Sequence, residues 1–255
     1  MKHKMIALNR SKALYQGLVG SVLAWTIISA SGQGFINLDF EAGPVYNDSF
    51  QPTTQYPDVM PGWTVNAASV GQTNAYCNNF ILDYPAVALM SLDGALGSDY
   101  VISGQRSVFL QSAASLGNPS SAVNVSISQV GMVPAGTQSL LFEARNQWYG
   151  SYPVPPGPFN VTMGGVTVPL IQLFSNGAGV TYAANISAWS GQTTELAIGV
   201  LASPAWGGAN WEGWAVVDSI QFSPQSVPEP GVLSLFAMLG ATIFSFRRRK
   251  TRALP

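Results

Sequence analysis

Asp218 is the acidic residue whose setting most calls for chemistry. It stands in a period-two run with Trp214, Val216, Ile220 and Phe222, so a strand there is expected to turn its carboxylate inward. A buried carboxylate must be compensated. Two partners are open: an arginine, Arg106 or Arg145, or a bound Ca²⁺. Asp93 and Asp99 form a weaker acidic pair, because Asp93-Gly94 also reads as an ordinary turn. A second set is aromatic. Trp148, Tyr149, Tyr152, Trp206 and Trp211 lie among glycine, proline and asparagine, as loop residues do. Such rings can stack on the C–H faces of sugars, with Asn146 and Asn210 bonding hydroxyls, or they can fold back as lids on the core. Trp63, Trp189 and Trp214 are expected in the core.

Several chemistries are excluded. The single histidine, His3, lies in the N-terminal segment, so the domain has no Ser-His-Asp or Cys-His machinery and no histidine zinc site. Cys77 is the sole cysteine and reads as a packed apolar residue; no intrachain disulfide can form. No Walker, dinucleotide or G-x-S-x-G motif is present. Glu143, Glu195 and Glu212 supply carboxylates for glycoside hydrolysis, but no spacing sets two of them at a catalytic separation. The expected role is therefore non-catalytic, with a weak glycoside hydrolase as the enzymatic alternative.

The elements that position these residues read as strands. Val123, Val125 and Ile127 alternate with polar neighbours, as do Leu140, Phe142 and Ala144, then Val180, Tyr182, Ala184 and Ile186, then Leu196, Ile198 and Val200. Phe159, Val161 and Met163 lead into Gly164-Gly165, and Val166, Val168 and Leu170 follow, which predicts a hairpin. Ile36, Leu38 and Phe40 predict an opening strand. Further strands are expected at Val87–Ser91, Ser107–Gln111 and Trp214–Phe222. Turn clusters separate them and no stretch keeps a helical period. The expectation is one all-β domain, an antiparallel β-sandwich over residues 35–224, followed by a linker at 225–230.

The two ends carry different signals. Residues 1–34 have a basic start (Lys2, Lys4, Arg10, Lys12), an apolar stretch and small residues before position 35, the pattern of a secretory signal peptide. Gly231–Phe246 is an uncharged run of 16 residues followed by Arg247-Arg248-Arg249-Lys250. As a helix it spans roughly 24 Å, and the arginine stems extend its reach toward the ~30 Å of a hydrocarbon core. The basic cluster predicts a cytoplasmic C-terminus with the bulk of the chain outside. Residues 231–255 are thus expected to be a transmembrane helix and basic tail. Between the ends, two arginines face eleven carboxylates. A domain so acidic is not expected to bind nucleic acid.

Val227-Pro228-Glu229-Pro230, the apolar span and the arginine cluster resemble, in that order, the PEP-CTERM sorting signal of exported bacterial proteins. The resemblance implies an exosortase-type enzyme that cleaves near Pro228-Glu229-Pro230, transient anchoring in the inner membrane of a Gram-negative envelope, and association with exopolysaccharide. The domain resembles jelly-roll carbohydrate-binding modules in Phe35–Glu41, Pro61-Gly62-Trp63, Ile186–Gln192 and Val217–Phe222. That second resemblance implies a galactose-binding-like sandwich that binds extracellular polysaccharide. It also implies a structural Ca²⁺ between the first and last strands, with Glu41 and Asp218 as ligands. A purely structural matrix protein without a ligand is the alternative.

Overall fold

The computed structural model describes residues 34–44, 46, 54–67, 72–80, 84–94, 97–115, 118–148, 159–175, 177–201 and 213–227. The strands, in chain order, are β1 (Thr64–Asn66), β2 (Tyr76–Cys77), β3 (Ala86–Ser91), β4 (Arg106–Ser115), β5 (Asn118–Val123), β6 (Val125–Met132), β7 (Ser139–Trp148), β8 (Phe159–Met163), β9 (Val166–Thr167), β10 (Ile171–Ser175), β11 (Val180–Asn185), β12 (Thr193–Val200) and β13 (Gly213–Ser223). A four-residue helix, α1 (Gly97–Tyr100), and a 3₁₀ turn at Ser187–Trp189 accompany them.

Two sheets result, one ordered β1-β6-β12-β8-β9 and the other β10-β11-β7-β13-β4-β3-β2, with β5 paired to β4. The pairing of β2 with β3 is parallel; the others are antiparallel. The chain is therefore an all-β protein whose sheets pack face to face. The period-two residues meet between them: Val125, Ile127, Val161, Met163, Leu196, Ile198 and Val200 from the smaller sheet, Leu140, Phe142, Ala144, Ala215 and Val217 from the larger. Each large side chain buried there stabilises the fold by about 1.5–3 kcal/mol.

The larger sheet also carries apolar residues on its outer face. Tyr76, Phe80, Ala88, Met90, Phe109 and Val216 form a second cluster beneath Tyr100, Val101 and Ile102, with Trp214 against it. This explains why β3, Ala-Val-Ala-Leu-Met-Ser, is buried at every position: it is covered on both faces, so its sequence does not alternate.

The predicted hairpin is present. Gly164 and Gly165 both adopt positive φ, at 57° and 79°, as a two-residue turn of this hand requires. The predicted opening strand is not. Asn37 and Phe40 sit at φ 51° and 56°, which breaks any extended run through Ile36–Glu41. That segment is a turn held by side chains. The buried Gln129 accepts from Ile36 N–H at 2.6 Å and donates to Ile36 O at 3.0 Å, while Asn37 Oδ1 accepts from Ala42 N–H at 2.9 Å. Trp63 Nε1 donates to Asn37 O at 2.9 Å, which fixes Trp63 in the core. The edge of β3 is closed in the same manner: Gln72 bonds both Val87 N–H and Val87 O, and Asn78 Oδ1 accepts from Ser91 N–H.

Candidate binding site

β7 ends at Trp148 and β13 begins at Gly213, and these two residues are register partners. β8 begins at Phe159 and β12 ends at Val200, and these are also partners. The chain thus leaves the larger sheet at Trp148 and enters the smaller one at Phe159, then leaves the smaller at Leu201 and re-enters the larger at Gly213, and these flanking residues lie at one end of the sandwich. One buried hydroxyl ties the second crossover together. Ser112 Oγ donates toward Leu201 O at 3.2 Å and Gly213 O at 3.1 Å and accepts from Gly213 N–H at 3.2 Å. Phe159, the exit of the first crossover, packs edge-on against Phe142 and Tyr182. The topology therefore brings the stems of both aromatic-rich segments to one end. Tyr149, Tyr152, Trp206 and Trp211 lie outside the described residues, as does the side chain of Trp148.

Beside those stems, on the outer face of the smaller sheet, lies a trough of about 190 Å³. Its floor is Ala197 and Gly199 of β12. One wall is Asn124 and Ser126 from β6, the other Asn160 and Thr162 from β8, and Leu201 closes the end. Register sets these residues side by side: Ser126, Gly199 and Asn160 form one row across the sheet, and Ser128, Ala197 and Thr162 the next. Thr167 Oγ1 bonds Asn160 Oδ1 at 3.2 Å, and Asn66 Nδ2 donates to Ser128 Oγ at 3.0 Å, so the walls are already oriented. Sequence reading missed this site, because each contributor looks like an ordinary solvent-facing position of its own strand.

Asp218 is buried, at 1 % exposure, but on a different face from the one expected. Between Asp218 and Gln221 β13 carries one residue more than its partner, with Ser219 at φ 52°. The bulge leaves Asp218 on the outer face with Val216 and Trp214, and turns Ile220 and Phe222 into the inter-sheet core. Neutral donors hold the carboxylate: Ser107 Oγ–H at 2.6 Å, Ser219 N–H at 2.6 Å, and the backbone of Ser103. Burial pushes its pKa up to about 7 against those hydrogen bonds, and the charge of Glu41 adds to the rise. Among the described contacts, neither arginine bonds it. Arg106 Nη1 donates to Glu41 O and Gly43 O, and Arg145 Nη2 donates to Asp99 O. Glu41 Oε1 accepts from the N–H groups of Gln105 and Arg106 at 2.6 and 3.1 Å. It thereby clamps a turn in which Gly104, at φ 57°, leaves no room for a Cβ. Glu41 and Asp218 are thus electrostatic neighbours, and among the described residues no group of three or more His, Cys, Asp or Glu side chains gathers.

The other candidates fall apart in space. Glu143 is on the outer face of the larger sheet and Glu195 on that of the smaller, so the two do not face one another; Glu212 lies outside the described residues. Asp93 sits in the turn after β3, and Asp99 in α1 supplies a backbone carbonyl to Arg145. Cys77 is buried, as expected, and its Sγ accepts from Tyr46 N–H at 3.3 Å. Trp189 packs partly buried against the core and Trp214 against the outer cluster. Of the tail motif, Val227 is described; Pro228, Glu229, Pro230, Arg247, Arg248, Arg249, the run 231–246 and residues 1–33 lie outside. Among the described residues no helix is long and apolar enough to cross a membrane.

No protein-family model matches the chain, and no curated protein does. Among solved structures, it is similar to the carbohydrate-binding module TmCBM61, determined in complex with β-1,4-galactotriose. The TM-score is 0.38 at 12% identity, over 75% of this chain and 97% of that one.

Proposed function

We propose that this protein is a non-catalytic polysaccharide-binding module of the cell surface or extracellular matrix, exported through its N-terminal signal and sorted by its C-terminal tail. The observation that supports the binding reading is that the strand ends flanking both aromatic-rich segments lie at one end of the sandwich, set there by strand register, with Ser112 joining the pair that flanks 202–212. Trp148, Tyr149, Tyr152, Trp206 and Trp211 are the proposed stacking residues. The tail reading rests on the ordered Val227-Pro228-Glu229-Pro230 motif, the uncharged span and the arginine cluster. In this reading an exosortase-type enzyme is the partner in the membrane, and the helix holds the chain there only until cleavage.

Titration of the full-length chain with neutral polysaccharides, followed by tryptophan fluorescence, tests the binding reading. A saturable change supports it. A flat response to every neutral polysaccharide, with the fold intact, transfers the conclusion to a ligand-free matrix protein.

A structural Ca²⁺ belongs to the same proposal. Glu41 and Asp218 would hold it together with backbone carbonyls, and what supports it is a carboxylate whose pKa burial raises, with the charge of Glu41 adding to the rise, while the two arginines donate elsewhere. The ion would neutralise that pair and brace the opening turn against β13. Excess calcium over a chelator is then expected to raise the thermal transition of the full-length chain; no shift removes the ion from the reading.

A further inference from the structure

We infer that the outer face of β10, β11 and β7 is a self-association surface, which seats a second copy of this chain in an antiparallel, two-fold arrangement. The inference is independent of what the domain binds.

Half of the larger sheet's outer face is already covered. Tyr100, Val101 and Ile102 pack against the outer residues of β3, β4 and β13, and that cluster takes no residue from β7, β10 or β11. Arg145 marks the border, where its Nη2 donates to Asp99 O. Beyond it the register lays out an apolar strip. Ile171, Ala183 and Leu141 form one row across the three strands, and Phe174, Thr181 and Glu143 the next. Leu141, Ile171 and Phe174 belong to neither apolar cluster, and Phe174 is 59 % exposed. The bulge at Leu173 sets that ring. Strict alternation from Ile171 would point Phe174 into the core; the extra residue pairs it with Thr181 and turns it outward.

Charge decides what the strip can meet. Over most of the surface two copies of the domain repel one another, with eleven carboxylates against two arginines. From Asn146 to Thr194 the chain carries no charged residue, and that stretch supplies β10 and β11. The inner border of the strip holds one charge of each sign, Glu143 and Arg145, two residues apart on one face of β7. Turned through a two-fold axis, Glu143 of each copy comes opposite Arg145 of the other. The strip is therefore self-complementary in charge, as a contact between identical surfaces requires. A foreign strand is the poorer occupant. β10 is an edge, but its bulge interrupts the ladder that an added strand would continue.

Sedimentation of the full-length chain in detergent, over a wide range of concentration, tests this. The expected result is a reversible equilibrium between monomer and dimer. Phe174→Lys places the same charge on both copies at the strip and should weaken the dimer at least about tenfold. Glu143→Lys should weaken it as well, because it sets like charges opposite one another. Val130→Lys is the control: Val130 is 64 % exposed but lies on the smaller sheet, so this variant should dimerise as wild type does. The thermal transition of each variant checks its fold, and if Phe174→Lys does not fold, Glu143→Lys decides. A wild type that stays monomeric at every concentration overturns the inference. A dimer that survives both strip substitutions unchanged also overturns it, since another surface then holds the copies together. Loss of the dimer in Val130→Lys alone moves the contact to the smaller sheet and overturns it likewise.

Discussion

A carboxyl pushed up to about 7 in the folded chain, from about 3.8 for an exposed aspartate, couples protons to folding. The sign follows from which state holds the proton more tightly. Between the two values the folded chain binds a proton at Asp218 that the unfolded chain has released, so stability falls as pH climbs from about 4 to about 7. Below that window the contribution is fully present; above it the loss is complete, on the order of 4 kcal/mol at most. Asp218→Asn keeps an acceptor for Ser219 N–H and offers a donor to Ser107 Oγ without the charge. In the presence of a chelator the variant should therefore be more stable than wild type at pH 8 and nearly equal to it at pH 4, read from denaturant midpoints across that range. A difference that does not change with pH would show that the native carboxylate stays ionised, as a bound cation would make it.

At the scale of elements, the strand ends that flank 202–212 are joined by a single hydroxyl. Ser112 belongs to β4 yet bonds the residue that ends the β12 side and the one that begins β13. Ser112→Ala leaves buried backbone groups without that partner, at a cost of about 1–3 kcal/mol. It should also weaken polysaccharide binding, because the stems of 202–212 are no longer held in place. A lowered thermal transition with unchanged affinity would separate the crossover's anchoring from its binding.

Which elements are legible in sequence follows from what pairs with their backbone. β6, β7, β8, β11 and β12 alternate because one face is buried, and that pattern appears in the residues themselves. The 164–165 hairpin is announced by its two glycines. Ile36–Glu41 alternates too, but side-chain amides satisfy its backbone, and nothing local says that Gln129, far along the chain, will do so. The β13 bulge is hidden for a related reason: its left-handed residue is Ser219, not glycine, so the phase change at Asp218 leaves no mark. The trough is invisible for a third reason. Its rows are assembled from β6, β12 and β8, which meet only when the sheet order is known.

For the whole molecule, charge is distributed by region. The basic residues gather at the ends, and residues 35–224 hold no lysine and only Arg106 and Arg145. Both arginines are built into strands, β4 and β7; Arg106 Nη1 donates to the backbone carbonyls of Glu41 and Gly43, and Arg145 Nη2 to that of Asp99. That arrangement has a consequence for proteolysis. Trypsin-like proteases need an extended, accessible Lys or Arg, and within this domain they find two, each inside a hydrogen-bonded ladder that must open before it can be cut. Treated with trypsin, the full-length chain should lose its ends quickly and leave one long-lived fragment containing the sandwich. Rapid cleavage at Arg106 or Arg145 would mean that one of these ladders opens readily. Against proteases of trypsin-like specificity, such a domain is durable because it offers almost nothing to cut.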